Sequence, residues 1–316
     1  MVVRVAAGAG HDSVVRVQTL ALGLHEFHEA RRARFGVVDG AELVLGYGGK
    51  GLEAEHAALN ERVGLLDLSC RSRLVLLGAD RHLMLNGQVT NNVRDLRPGS
   101  GCYAALVNAK ARVLSDLFIY ALADEVLLDF EPGLTAKVAS RIEQFILAQD
   151  VQVVDAAPHY GLLTLVGPAA REVAVAAGMG EALGEGPGSI RPWKREEWGD
   201  LYLAVQDRAG LVGVDVFVPC GSMAAVAAHL EQVVAGVGGR WCGWEALEVV
   251  RVEQRMPRYG VDMDETNLAP EAMGEGRAIS YTKGCYSGQE VIARIRTYGQ
   301  VAKSLRALRF EGLSSP

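Results

Sequence analysis

RLVLLGADRHLMLNG, residues 73–87, returns in kind as LLTLVGPAAREVAVAAG, residues 162–178. Each copy opens with an apolar run of strand length, breaks at a glycine, then places apolar residues at helical intervals. That change of hydrophobic period predicts strand, turn and helix. Pro168 stands near the first helical turn of the second copy, where a missing N–H costs nothing. The segment after each copy repeats as well. LFIYALADEVLLDF (117–130) and LYLAVQDRAGLVGVDVFV (201–218) each hold two apolar runs around a polar turn, the signal of a hairpin. Each hairpin leads into an amphipathic helix. Over 135–149, Val138, Ile142, Phe145 and Ile146 share one face; after Ser222, read as an N-cap, the matching set is Val226, Leu230, Val233 and Val234. VQVV at 151–154 supplies a closing strand. The order strand–helix–strand–strand–helix thus occurs twice, which predicts an α+β fold of two related ferredoxin-like, split βαβ subdomains. Whether the hairpins form two sheets or join one long sheet stays open.

A further helix is expected over 244–254, followed by a loop, RMPRYGVDMDETNLAPEAMGEG (255–276). Strand character returns in EVIARIRTYGQ (290–300) and SLRALRF (304–310). GYGGKG (46–51) lacks the GK[ST] ending of a phosphate loop and reads as a turn.

The chain has 316 residues, 49% hydrophobic and 22% charged, with net charge −6. Such a composition suits a globular protein with a sizeable core and gives no global basic field for nucleic acid. No apolar run approaches the roughly 20 residues of a membrane span, and the N-terminus shows no signal-peptide pattern. Five widely spaced cysteines without a C-x-x-C argue for a reducing cytoplasm and against a metal site. His25 and His28, with Glu26 and Glu29, read as a solvated helix face.

KGCYSGQE, residues 283–290, concentrates reactive chemistry. In an extended chain Lys283 and Cys285 lie on one side, and an ammonium there favours the thiolate. Gly284 and Gly288 allow a sharp turn. Arg294 and Arg296 would share a strand face suited to an anion. The competing reading is a structural cysteine in a tight turn.

The run KGCYSGQEVIARIRTYGQ closely resembles the signature segment of the YgfZ proteins, folate-binding relatives of the glycine-cleavage T-protein (GcvT). Lys283, Gly284, Cys285, Tyr286, Gly288, Gln289, Glu290 and Arg294 carry the match. The stretches 63–120 and 246–272 resemble the same superfamily, so the likeness runs from about residue 52 to the end. It implies a two-subdomain body around a central folate channel, followed by a C-terminal β-barrel. Residues 1–298 would form the body of interleaved subdomains, and 299–316 the start of a truncated barrel. The YgfZ branch implies an accessory factor for iron–sulfur enzymes, including tRNA-modifying ones, using a Lys-x-Cys site.

On that resemblance the cofactor is tetrahydrofolate or a derivative, with no bound metal. The partners are iron–sulfur client enzymes or assembly proteins, with no direct nucleic acid and no membrane. Cys285, Lys283 and Asp116 are the candidate catalytic residues. Asp116 matches the second position of a T-protein Asp-Asp pair whose first position is Ser115 here. Arg251 and Tyr259 match positions near the pterin pocket, and Glu253 lies beside them. Gly284, Tyr286, Gly288, Gln289, Glu290 and Arg294 complete the expected binding set. Departures from the T-protein pattern are Val214 for a glutamate, and Ala111 and Arg255 for glycines. They argue against conventional turnover, with aminomethyltransferase activity or a degenerate folate-binding module as alternatives.

Overall fold

The computed structural model describes residues 19–48, 51–273, 276–299 and 301–308. Both copies of the repeat form, each with one strand more than expected, Ser100–Val107 in the first and Ile190–Arg195 in the second, and each builds its own sheet, antiparallel except where Arg240–Trp241 pairs parallel with Gly64–Asp67. The first sheet runs Ser100–Val107, Val113–Ala121, Val126–Phe130, Ser72–Leu77, Gln152–Asp155. The second runs Ile190–Arg195, Gly199–Gln206, Gly213–Pro219, Tyr160–Val166, then Gly64–Asp67 and Arg240–Trp241. The two orders correspond, save that Gly64–Asp67 is inserted into the second. That strand precedes the first copy in sequence yet pairs antiparallel with Tyr160–Val166, so the copies interleave.

Alternation along the strands explains how the sheets stack. In the first sheet Leu74, Leu76, Leu117, Ile119 and Leu128 share a core with the helices Arg81–Asn86 and Thr135–Glu143. In the second, Leu163, Leu165 and Val216 pack with the helix Met223–Gly236. The opposite faces, including Phe118, Tyr120 and Leu127 from one sheet and Leu162 and Phe217 from the other, meet in a shared middle layer. Strands buried on both faces read as largely apolar runs, here interrupted by single charges such as Asp116, Asp129 and Asp215. The helix Trp244–Glu253 adds Trp244, Leu247 and Val250 to that layer.

Several expectations are corrected. The helix from Thr135 stops at Glu143, and Phe145 beyond it is exposed. Ser222 makes no side-chain cap; Cys220–Ser222 is a tight 3-10 turn instead. His28 is fully buried rather than solvated, bonded to Asp67 (3.0 Å) and to the Tyr47 hydroxyl (2.8 Å). GYGGKG, read as a turn, runs from the end of the strand Ala41–Tyr47 to the start of the helix Gly51–Glu61, and its residues 49 and 50 lie outside the described residues. Gln289–Tyr298 is a helix, not a strand. Val291, Ala293 and Ile295 alternate as in a strand, but Val291, Ile292 and Ile295 fit the helical spacing i, i+1, i+4, and tertiary burial of Ile292 decides for the helix. Residues 301–308 form no strand, so no barrel strand occurs among the described residues, and 309–316 lie outside them. Among the described residues no helix is long and apolar enough to cross a membrane.

The two substituted glycines are legible in the backbone. Ala111 and Arg255 have φ of 59° and 60°, in the left-handed region. Arg255 follows the helix Trp244–Glu253, with Met256 N–H bonded to the Arg251 carbonyl and Arg255 N–H to that of Val252. This is a Schellman end with arginine where glycine is favoured. Arg255→Gly is therefore expected to raise stability by about 1 kcal/mol. A urea midpoint unchanged or lowered would show that the arginine side chain offsets the strain.

Candidate functional site

Buried charge marks the middle layer near one end. Asp116 lies on the strand Val113–Ala121 and Tyr103 on its neighbour, diagonally across the register. Tyr103, Asp116 and Phe118 face one side, and the Tyr103 hydroxyl donates to Asp116 Oδ2 at 2.8 Å. Oδ1 of Asp116 is buried and has no hydrogen-bond partner among the described residues. Burial, aided by the nearby Glu131 charge, raises the Asp116 carboxyl to about 6 despite Arg71 and the Tyr103 hydroxyl. Ser115 points the other way: it is fully buried, and its hydroxyl donates to the Asp116 carbonyl.

Around Asp116 runs an alternating chain of charges: Asp215, Arg208, Asp129, Arg71, Glu131, Arg258, Glu248, Arg251, Asp262. Its links include Arg71 Nε to Asp129 at 3.0 Å, Arg208 Nη1 to Asp129 at 2.7 Å and Arg258 Nη1 to Glu131 at 3.1 Å. Burial pushes the Asp129 carboxyl up, but the Arg208 and Arg71 guanidiniums outweigh it and hold it below its ordinary value. Arg71, Glu131, Arg208, Glu248, Arg251 and Arg258 line a cavity of about 50 Å³ with Asp116, Tyr103, Phe118, Trp244 and Arg277. Arg208 lies over Phe118 (4.6 Å), Arg258 over Trp244 (5.2 Å) and Arg277 over Tyr103 (4.9 Å).

Of the expected residues, Asp116 and Arg251 line this cavity. Arg251 pairs with Glu248, one turn earlier, at 3.0 Å and with Asp262. Glu253 is not its partner; it is exposed on another face and pairs with His56. Tyr259 is also outside the cavity, its hydroxyl accepting from Lys137 Nζ at 2.8 Å. Val214 is packed in the apolar core. The next residue, Asp215, faces oppositely and carries a buried carboxylate to Arg208 and Thr164, but it does not restore an acid at the position of Val214.

The 283–290 segment lies away from the charged cavity and acts as a clasp. Lys283 is buried, and Nζ donates to the carbonyls of Asn86, Val89 and Asn91 at 2.7, 2.7 and 2.6 Å. Its three donors thus go to backbone, not to a thiolate. Burial pulls the ammonium down to about 8. Cys285 is exposed, and Tyr286 is buried 4.8 Å beneath the ammonium. Gly288 has φ 79° and lies so close to Asn108 and Ala111 that a Cβ would meet backbone at 2.5 Å. Gly284 needs no such freedom: its φ is ordinary and a Cβ there would meet open space. Gln289 begins the following helix, on which Glu290 and Arg294 pair at 2.9 Å in solvent. Arg296 sits over the Tyr281 ring rather than facing an anion beside Arg294. Lys283→Met should cost about 1–3 kcal/mol by stranding buried carbonyls. An unchanged urea midpoint would show that water replaces the ammonium.

Sequence reading missed Arg71, Tyr103, Glu131, Arg208, Glu248, Arg258 and Arg277. A signal existed for some of them: single charges interrupting apolar runs, as in LSCRSRLVLL and EVLLDFE. Among the described residues no group of histidine, cysteine or acidic side chains could hold a metal ion.

The sequence model of the family described as "GCVT N-terminal domain" matches residues 24–283. An aminomethyltransferase of Parafrankia sp. (strain EAN1pec) is 29% identical over 289 residues, covering 90% of this chain and 77% of that protein. The aminomethyltransferase of Nitrosococcus oceani is 29% identical over 260 residues, covering 82% and 68%. The glycine cleavage system aminomethyltransferase T from Bartonella henselae shares the fold, with a TM-score of 0.75 at 22% identity over 89% of this chain and 75% of that one.

Proposed function

We propose, for a chain that belongs to the GCVT N-terminal domain family, that it binds tetrahydrofolate beside Asp116 and transfers an aminomethyl-type one-carbon unit. The observation that carries this reading is Asp116 itself. One oxygen is anchored by Tyr103, the other is buried without a partner among the described residues, and the carboxyl is raised to about 6. Such a group accepts an N–H at neutral pH and exchanges a proton near its own pKa, which is what a general acid–base residue needs. The lining suits a reduced pteridine: Asp116 would hold a ring or bridging N–H, and Phe118 and Trp244 offer aromatic faces. Bound there, the folate would supply the amine that accepts the one-carbon unit. The cavity of about 50 Å³ has room for only about one or two waters. Ring entry therefore requires lining side chains to move aside. The aminomethyltransferase relatives favour this reading over an accessory role.

A second reading keeps the YgfZ-type role, a cytoplasmic factor serving iron–sulfur enzymes. It rests on the KGCYSGQE segment and on the exposure of Cys285. In it Lys283 shapes the turn rather than ionising the thiol.

Tetrahydrofolate titration followed by tryptophan fluorescence tests the common premise, since Trp244 lines the cavity. Saturable quenching is expected, and its absence removes folate from both readings. Methylene-tetrahydrofolate formation from an aminomethylated lipoyl carrier then supports the first. Its absence, together with loss of an iron–sulfur client's activity in cells carrying Cys285→Ser, supports the second.

A further inference from the structure

At another place in the middle layer lies a second cavity, of about 260 Å³, sharing no lining residue with the charged one. Its walls are apolar, from Val75, Leu122, Leu127 and Phe217. Tyr160 and Tyr202 add a tilted ring pair with centroids 5.9 Å apart. Arg73 lines it as well, on the strand Ser72–Leu77, and is only 1% exposed.

Among the described residues this buried cation has no ion-pair partner. Its Nη2 donates to the carbonyls of Tyr160 at 2.9 Å and Ser69 at 3.2 Å, while Nε and Nη1 have no partner among the described residues. The register places Arg73 opposite Asp129, the obvious counter-ion. Both oxygens of Asp129 are taken by Arg71 and Arg208. Burying a guanidinium costs several kcal/mol unless its donors and charge are matched. Two free donors beside an apolar cavity leave that match to a ligand.

We propose that this cavity is a second ligand site, taking a small organic monocarboxylate with an aromatic or aliphatic body, the carboxylate paired with Arg73. One guanidinium balances one negative charge, and the apolar walls give a multiply charged anion no further partner. His159 and Glu125 are the remaining polar residues of the lining; Glu125 is itself a carboxylate, with Asp124 and Arg81 rather than Arg73 as the charges acting on it, so the ligand's carboxylate belongs at the Arg73 end of the cavity. The tyrosine pair and Phe217 suit a flat ring. The inference stands apart from the folate reading, since it uses none of the residues around Asp116.

The test uses the full chain with benzoate as probe, and benzamide and inorganic phosphate as controls, by calorimetry and ligand-observed NMR. Benzoate should bind saturably, with benzamide and phosphate weaker by about tenfold or more, the least that a lost charged hydrogen bond gives. Arg73→Met removes the charge while keeping an apolar stem. Val75→Trp fills the cavity and leaves Arg73 in place. Each should weaken benzoate by at least about tenfold and leave the tetrahydrofolate response unchanged. Should Arg73→Met fail to fold, Val75→Trp decides alone. No saturable benzoate binding to the wild-type chain overturns the proposal. So does benzamide binding as tightly as benzoate, or benzoate binding that survives both variants.

Discussion

Replacing Asp129 with asparagine is expected to destabilise the fold by about 3–5 kcal/mol. Asp129 is fully buried and is shared by Arg71 and Arg208, both nearly buried themselves. Asparagine keeps the shape but removes the charge, leaving two guanidiniums in a dry layer with one carboxylate fewer. Arg71 retains Glu131 and Arg208 retains Asp215, so the loss is graded rather than total. Urea unfolding with an unchanged m-value measures it. A loss under about 1 kcal/mol would mean that water reaches the pair and that the chain of charges is not dry. The pH dependence has a definite sign. The folded Asp129 carboxyl lies below its ordinary value of 3.8. Its contribution is therefore present above that value and disappears as the pH falls through the lower folded pKa. Acid unfolding of the wild type should consequently be steeper than that of the asparagine variant.

Asp116→Asn should act in the opposite direction on stability and strongly on chemistry. Removing a positioned acid–base group costs about 10²–10⁴-fold in turnover. If Asp116 only shapes the cavity, turnover of the variant would stay within a few-fold of wild type. The folded Asp116 carboxyl is raised to about 6 from 3.8. Protonation therefore stabilises the fold fully below pH 3.8, and that contribution is lost as the pH rises through about 6. Above pH 7 the asparagine variant should be the more stable chain, by up to about 3 kcal/mol. Below pH 4 the two should converge. Wild-type kcat/KM should fall on the acid side of about pH 6, where the carboxylate takes up its proton. The stability difference tests the buried charge even in the absence of a turnover assay. A variant that is less stable at every pH would show that Oδ1 is satisfied by solvent.

Residues 73–87 and 162–178 carried the architecture because strand and helix periods are local properties. Each unit could be read from its own apolar spacing, down to VQVV as a closing strand at Gln152–Asp155. Local reading failed where two periods fit equally well. Val291, Ala293 and Ile295 suited a strand while Val291, Ile292 and Ile295 suited a helix, and burial of Ile292 against the 259–286 cluster chose the helix. The backbone cost at Ala111 and Arg255 was visible in advance, because only glycine enters the left-handed region without strain.

The site divides along the same line. Asp116 and Arg251 were marked by resemblance and stand in one cavity, though 135 positions separate them. The core of the charge chain, from Arg208 through Asp129, Arg71 and Glu131 to Arg258, could not be paired from the sequence, since its members lie on segments far apart in the chain. Lys283 and Cys285 show the converse. Adjacency in sequence suggested an ammonium serving a thiol, but hydrogen bonding turned that ammonium toward three carbonyls. Hydrophobic periodicity is written residue by residue, so the sequence by itself determined the repeated α+β units and their buried faces. The partner of a buried charge is selected by distance and desolvation across the packed layer, and only the tertiary structure decided that Asp129 belongs to Arg71 and Arg208, leaving Arg73 without an ion-pair partner among the described residues.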